Sequence, residues 1–218
     1  MRIEDITREK GKLFRLTLDD GRTVWLHADL LAESGLKAGS TLDEDALSAL
    51  ADKAAEHRAF EYALYLLEGR AFSYRGLYDK LMQAKHAQED AVLRAMARLV
   101  RLGLVNDAQY AEQLARQYVE GKLFGIRRAA YEMRHKGLAQ PEIDDALAPY
   151  DTPERISEQL LTLLRKKYAR YLTDPDDRKM TEKVTASLVR RGFSYQQIRY
   201  ALEDYYAAAE DSADQEPL

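Results

Sequence analysis

The sequence predicts a mainly α-helical protein in which tandem three-helix repeats follow a small N-terminal head that contains a β-hairpin. Three observations predict this fold class. Helix-favouring Ala, Leu, Glu, Lys, Arg and Gln dominate the 218 residues, which include only 11 Gly and 5 Pro. From residue 58 onward, apolar residues recur at the spacing of an amphipathic helix. Within this helical body, a set of residues is repeated at identical spacing.

The head shows the alternation of a β-hairpin. Apolar and polar residues alternate across residues 12–27, on both sides of Asp20-Gly21, and such a pair at the centre of an alternating segment is typical of a tight turn. Further on, Thr41 and Glu44 have the spacing of a capping box, which predicts a short helix at the end of the head. The head itself offers no functional motif.

The helices of the body have clear start signals. Ser73 and Ser194 each follow a Phe, so each predicts an N-cap with an apolar staple. Thr152 is followed by Pro153, which favours the first helical position. We expect about nine body helices of ordinary length, about 10–18 residues each.

The repeats are marked by a glycine before the last helix of each unit. The same four residue types follow two basic helices at identical spacing. They are Gly137, Ile143, Ala146 and Leu147 after the first helix, and Gly192, Ile198, Ala201 and Leu202 after the second. A weaker copy lies upstream, with His86 in place of the glycine. Any two amphipathic helices joined by Lys-Gly look somewhat alike, but four matched positions favour a repeat, which is typical of an elongated, curved helical array.

These signals divide the chain into five segments. The predicted segments are the head at 1–57, three-helix repeats at 58–105, 106–150 and 151–206, and an acidic flexible tail at 207–218.

Catalytic and metal-binding motifs are not found in the sequence. Cys is absent, and the four His residues are scattered without metal-ligand spacing. No Gly-rich phosphate loop or nucleophile motif is present, and the acidic residues at 174–177 are interpreted as a solvated loop. No apolar run is long enough to span a membrane, and the N-terminus does not resemble a signal peptide. We therefore expect a cytoplasmic, non-enzymatic protein without a cofactor or metal.

Charge indicates a different kind of function. The net charge is −4, which argues against coating nucleic acid by bulk charge. Residues 58–204 nevertheless carry 25 Lys/Arg against 21 Asp/Glu. The candidate binding residues lie on helix faces or in one basic stretch: Arg127, Arg128, Arg134, Lys136, Arg165, Lys166, Lys167, Lys179, Lys183, Arg190 and Arg191. A single basic stripe is usually a solvated face, but equivalent basic helices in two repeats suit a long polyanion or a nucleoprotein filament.

Four stretches of the body resemble the RecX family of recombination regulators: Ser73 to Leu81, Leu99 to Ala111, Gly125 to Leu138, and Arg190 to Leu202. The most specific is Gly103-Leu-Val-Asn-Asp-x-x-Tyr-Ala111. The resemblance implies three three-helix repeats that bind the RecA filament in its helical groove, lower its ATPase, strand-exchange and coprotease activities, and also bind DNA. Two departures are His86, where the family has Gly, and the acidic net charge, which predicts weak DNA binding by the protein alone.

Two other functions are compatible with the pattern. Three-helix units with a turn before the last helix also resemble a helix-turn-helix transcription regulator, although the predicted reading helices lack a cluster of base-reading side chains at their N-terminal ends. A plain α-solenoid adaptor is the other alternative. On the RecX interpretation, the partners are the RecA filament and single- or double-stranded DNA, with no membrane, and the protein is expected to be a monomer.

Overall fold

The computed structural model describes residues 1–213, and side chains through residue 208. The chain forms two compact units, Met1–Asn106 and Asp107–Leu218. The first unit contains the head and the first three-helix repeat, and the second contains the other two repeats. Within the described residues, no helix is both long enough and apolar enough to cross a membrane.

The head is built on an antiparallel sheet of three strands in the order β1-β2-β3, which are β1 (Ile3–Arg8), β2 (Leu13–Leu18) and β3 (Thr23–His27). The predicted hairpin is β2 and β3, with Gly21 at a φ of 81° in the turn. Strand β1 was not predicted. It lies at the edge of the sheet, where only Ile3 is fully buried, so its apolar alternation is weak.

Helix α1 (Ala28–Ser34) follows β3 directly, and α2 (Glu44–Gly69) closes the head core. The buried residues of this core come from the strands and from the first half of α2: Ile3, Leu16, Leu18, Leu26, Leu47, Leu50 and Ala54. The second half of α2 packs in the core of the first repeat.

Two expectations about α2 need correction. The capping box predicted at Thr41 is wrong, because the cap is Asp43, whose Oδ1 accepts a hydrogen bond from the Ala46 amide at 2.7 Å. Thr41 instead pairs with Arg2 in an isolated β-bridge. The predicted boundary at residue 57 falls inside α2, since no Gly or Pro interrupts the helix before Gly69.

The three repeats share one arrangement of three helices. The first is formed by the second half of α2 with α3 (Tyr74–Met82) and α4 (Glu89–Arg101). The second consists of α5 (Asp107–Arg116), α6 (Ile126–His135) and α7 (Gln140–Leu147), and the third of α8 (Pro153–Leu163), α9 (Arg178–Arg190) and α10 (Tyr195–Ala213). A π-helical turn extends α5 over Gln117–Gly121 and α8 over Leu164–Tyr168. Each repeat buries its own apolar cluster.

A left-handed residue precedes the last helix of each repeat, in a loop of six residues (83–88) in the first repeat and of four residues (136–139 and 191–194) in the other two. His86, Gly137 and Gly192 have φ values of 61°, 85° and 100°, so His86 occupies the left-handed conformation of the two glycines despite its side chain. The matched spacing read from the sequence therefore identifies equivalent positions. A non-glycine residue costs free energy in this conformation.

The predicted N-caps are confirmed. The side-chain oxygens of Ser73, Thr152 and Ser194 accept hydrogen bonds from backbone amides three residues on, at 3.0, 3.3 and 3.2 Å. At the C-terminus, α10 continues to Ala213, beyond the predicted start of the tail at residue 207, because Ala and Glu favour a helix there. Residues 214–218 of the predicted tail lie outside the described residues.

Candidate nucleic-acid interface

The second and third repeats meet at a close contact between two glycines. The Gly125 amide donates a hydrogen bond to the Arg191 carbonyl at 2.8 Å. A Cβ on Gly192 would lie 2.5 Å from the Arg128 amide nitrogen, and one on Gly125 would lie 2.7 Å from the Gly192 carbonyl carbon. Both positions therefore require glycine, and the C-terminal end of α9 lies against the N-terminal end of α6.

Two side chains reinforce this junction. Helix ends leave their last carbonyls without intrahelical partners. Past the π-helical turn of α5, Arg191 Nη1 donates to the Lys122 carbonyl at 3.1 Å. Gln159 Nε2 donates to the carbonyls of Val119 and Phe124 at 2.8 and 3.1 Å. The half-buried Arg191, predicted as a binding residue, thus also joins the two repeats.

Helix α9 presents a basic face. At about 100° per residue, Lys179, Lys183 and Arg190 fall within an arc of about 40°. They lie opposite the buried Val184 and Leu188. All three cations are exposed and have no ion-pair partner in the part of the chain that the structure describes. This face is therefore free to bind an anionic partner without disturbing the core.

Helix α6 presents a more mixed face. Arg127 and Arg134 lie on the side of the helix away from its buried residues, and Arg134 Nη1 donates to Gln140 Oε1 at 3.0 Å. Arg128 forms an ion pair with Glu132 at 2.5 Å, so its charge is partly neutralised. Lys136 is exposed at the C-terminal cap of the helix.

The two basic helices meet at the junction, since the end of α9 that carries Arg190 abuts the end of α6 that carries Arg127. The helices contain 13 and 10 residues, which at 1.5 Å per residue amounts to about 35 Å of helix. Several exposed cations on two adjoining helices of this length suit an extended polyanion better than a small anion.

A third basic group lies beside α9. Arg165, Lys166 and Lys167 are exposed on the π-helical turn that extends α8. The adjacent Tyr168 hydroxyl lies 2.9 Å from Ser187 Oγ of α9, which fixes the turn to the flank of that helix. The structure therefore brings together basic residues that are separate in the sequence.

The corresponding helix of the first repeat is electrostatically different. On α3, Arg75 Nε forms an ion pair with Asp79 at 3.0 Å. Lys80 Nζ donates to Gln83 Oε1 at 3.4 Å. On α3, Lys80 is therefore the one cation without an ion-pair partner among the described residues, whereas the basic face of α9 has three. The sequence analysis missed Gly125 and Lys122 as junction residues, although Gly125 immediately before a helix was a visible signal.

Comparisons with known proteins agree with this repeat structure. The model of the second three-helix domain of RecX matches residues 106–147, and that of the third matches residues 154–202. The regulatory protein RecX of Trichlorobacter lovleyi is 33% identical over 143 residues, which cover 65% of this chain and 91% of the relative. That of Chlorobium phaeobacteroides is 30% identical over 151 residues, covering 69% and 95%. The chain belongs to the RecX family.

Relatives and solved structures extend the similarity to the head. The RecX protein of Enterococcus faecalis is 24% identical over 216 residues, which cover 99% of this chain and 80% of the relative. A crystal structure of a regulatory protein RecX superposes with a TM-score of 0.70 and 26% identity, covering 93% of this chain and 98% of that one. RecX from Lactobacillus salivarius gives a TM-score of 0.63 at 27% identity, covering 70% and 97%. The tandem three-helix fold and the family predicted from the sequence are confirmed.

Proposed function

We propose that this RecX-family protein binds the RecA–DNA filament through the basic faces of α9 and α6 and restrains RecA activity without chemistry of its own. The observation that carries the proposal is that α9 and α6, two helices with exposed cations, adjoin at the glycine junction. Membership of a family whose curated relatives are named regulatory proteins supports a regulatory rather than a catalytic role.

The junction suggests how binding restrains RecA. Gly125 and Gly192 pack backbone against backbone, and Arg191 and Gln159 add side-chain hydrogen bonds across the same contact. A pair of repeats held together in this way can contact neighbouring protomers of a filament as one body. It would then impede the subunit movement that accompanies ATP turnover, or cap a growing filament end.

Charge predicts how the affinity depends on salt and partner. With a net charge of −4, the protein gains little from bulk attraction to DNA, so binding to DNA alone should be weak. A filament offers both phosphates and protein side chains to the same basic face. Each phosphate contact contributes roughly 0.7–0.9 to the slope of log affinity against log salt, so binding should weaken steeply as salt rises.

The last helices of the repeats offer little support for the alternative function, sequence-specific reading of DNA. On α7, Gln140 accepts from Arg134 and donates to Asp144 at 2.6 Å. On α10, Gln197 accepts from the Ser194 amide at 2.8 Å. These amide groups, which could otherwise read base edges, already have partners within the protein.

The proposal is tested by titrating the protein into RecA on single-stranded DNA while measuring ATP hydrolysis and co-sedimentation. We expect co-sedimentation with the filament and a fall in ATPase. Unchanged ATPase with no co-sedimentation would contradict the proposal. A sequence-dependent mobility shift of duplex DNA without RecA would instead support a transcription regulator. If the protein neither co-sediments with the filament, nor lowers the ATPase, nor shifts duplex DNA, an adaptor is supported.

A further inference from the structure

Two histidines that are 30 positions apart in the sequence face each other in the first unit. His27 ends β3 and caps α1, and Asp29 lies in the first turn of α1. His57 lies in the middle of α2. The rings of His27 and His57 stack with their centroids 4.5 Å apart and their planes 23° from parallel.

The three side chains lie close together. His27 Nδ1 lies 3.2 Å from Asp29 Oδ2. One ligand atom from each of His27, Asp29 and His57 lies within 4.8 Å of the other two. In a tetrahedral zinc site with bonds of about 2.1 Å, ligand atoms are roughly 3.4 Å apart. To complete such a geometry, the ligand atoms would have to approach one another by about 1 Å, and the stacked rings would have to turn so that the lone pairs in their planes point at one ion.

We propose that His27, Asp29 and His57 form a binding site for a divalent transition metal, with Zn²⁺ as the best-suited ion. Two imidazoles and one carboxylate are common zinc ligands, whereas Mg²⁺ and Ca²⁺ prefer oxygen ligands alone. Three protein ligands leave the fourth position to water. The site goes beyond the proposed regulation of RecA, because it uses none of the residues of α6 or α9.

The place of the site in the fold indicates its effect. On α2, the residues before His57, such as Leu50 and Ala54, pack in the head core. Those after it, such as Phe60 and Ala63, pack in the core of the first repeat. A metal bound here would tie the β3–α1 corner to α2 at the point where one core gives way to the other, and so stabilise this unit.

The site is tested on the full-length, metal-free protein by calorimetric titration with Zn²⁺ and by visible absorption with Co²⁺. We expect one Zn²⁺ per chain, a rise in the melting temperature, and Co²⁺ d–d bands. His57→Gln retains a good helix former, and His27→Asn retains a favoured N-cap residue. Each should weaken Zn²⁺ binding by more than the roughly 10- to 100-fold that loss of an outer-shell partner costs.

His135→Gln is the matched control, because His135 lies outside the cluster, with its Nδ1 2.9 Å from the Tyr131 carbonyl. It should bind Zn²⁺ as the parent does. Circular dichroism of each metal-free variant checks that it folds. The proposal is overturned if the parent shows no saturable binding, if His57→Gln and His27→Asn bind as tightly as the parent, or if His135→Gln weakens binding equally. Because the variants leave the basic faces intact, RecA restraint without Zn²⁺ should persist, so failure of the metal site and failure of the proposed function are distinguishable.

Discussion

Helices α3 and α9 occupy the same position in the first and third repeats but differ in how many of their cations lack an acidic partner. On α3, the charge of Arg75 is balanced by an ion pair with Asp79. On α9, Lys179 and Lys183 are exposed and have no ion-pair partner among the described residues. The same fold position therefore carries fewer cations without an acidic partner in one repeat than in another.

The difference shows which positions the repeat architecture constrains. Both helices bury two apolar residues, Leu77 and Leu81 on α3 and Val184 and Leu188 on α9. Both are followed by a left-handed residue before the next helix. The exposed positions are constrained by neither packing nor backbone geometry, so charge there can vary with function while the fold is retained.

The largest effect is expected from Gly192→Ala, at the end of α9. Alanine in a left-handed conformation costs about 1–2 kcal/mol. The Cβ would also lie 2.5 Å from the Arg128 amide nitrogen, and forcing such contacts costs typically about 1–3 kcal/mol more. We therefore expect a loss of about 2–5 kcal/mol in the free energy of unfolding, measured with urea by circular dichroism.

Gly103→Ala is the matched control for this substitution. Gly103 also has a positive φ, 70°, just after a helix, but nothing lies within 4 Å of where its Cβ would be. The free energy of unfolding of Gly103→Ala should fall only by the cost of placing alanine in the left-handed conformation, about 1–2 kcal/mol. Equal losses in the two variants would mean that the glycine junction is not tightly packed.

The next effect concerns the binding face of α9. Replacing Lys179 and Lys183 together by Ala should weaken binding to RecA–DNA filaments by at least about 10-fold, and relieve the ATPase restraint, with helix content retained. If both lysines contact phosphates, the salt slope should also fall by roughly 1.4–1.8. The measurement is fluorescence anisotropy of labelled filaments at several salt concentrations.

The matched control removes two cations from α3 by the double substitution Arg75→Ala with Lys80→Ala. Because these side chains already interact with Asp79 and Gln83, their removal should change filament binding far less. If both double variants weaken binding equally, only the total charge matters. The proposed contrast between the two helices would then fail.

Features of the fold that depend on a few neighbouring residues were predictable. The N-caps at Ser73 and Ser194 were read correctly because a cap is a contact between residues three apart. The equivalence of Gly137 and Gly192 was visible because Ile, Ala and Leu follow both glycines at the same spacing, and both glycines have a positive φ. The continuity of α2 was equally local, because no Gly or Pro interrupts the helix before Gly69, but the boundary was placed at residue 58, where the helical spacing of apolar residues begins.

Long-range contacts were not predictable from one sequence. Ten of the eleven candidate basic residues are exposed and Arg191 is half-buried, but how they group depends on contacts such as Arg191 to Lys122, which are 69 positions apart. The approach of His27 and His57 depends on how the sheet packs on α2, so sequence spacing could not reveal it. Strand β1 was missed for the same reason, because it is stabilised mainly by pairing with β2.

A smaller effect is expected at the turn after α3. His86 has a φ of 61°, so His86→Gly should relieve a cost of about 1–2 kcal/mol, offset in part by the greater freedom of glycine in the unfolded chain. We expect a net stabilisation of about 0.5–1 kcal/mol in thermal unfolding. His86→Ala keeps the Cβ and should not stabilise. If it stabilises equally, the gain comes from losing the imidazole and not from the backbone.

The smallest effect is expected from Asp79→Ala, which frees Arg75 and makes α3 resemble α9. The ion pair is exposed and its helical orientation is the weaker one, so its loss costs at most about 0.5 kcal/mol and is offset by the higher helix propensity of Ala. Filament binding should tighten by about two- to three-fold at low salt and lose this gain at high salt, where exposed charges are screened.

Glu203→Ala is the matched control for Asp79→Ala, because it makes the same change in net charge by removing the acidic partner of Arg199 on α10. It leaves the second helices of the repeats unchanged. A similar tightening in both variants would show that the filament responds to net charge alone. If only Asp79→Ala tightens binding, a neutralising carboxylate is what separates the α3 surface from that of α9, and the first repeat can bind a filament in the same manner as the third.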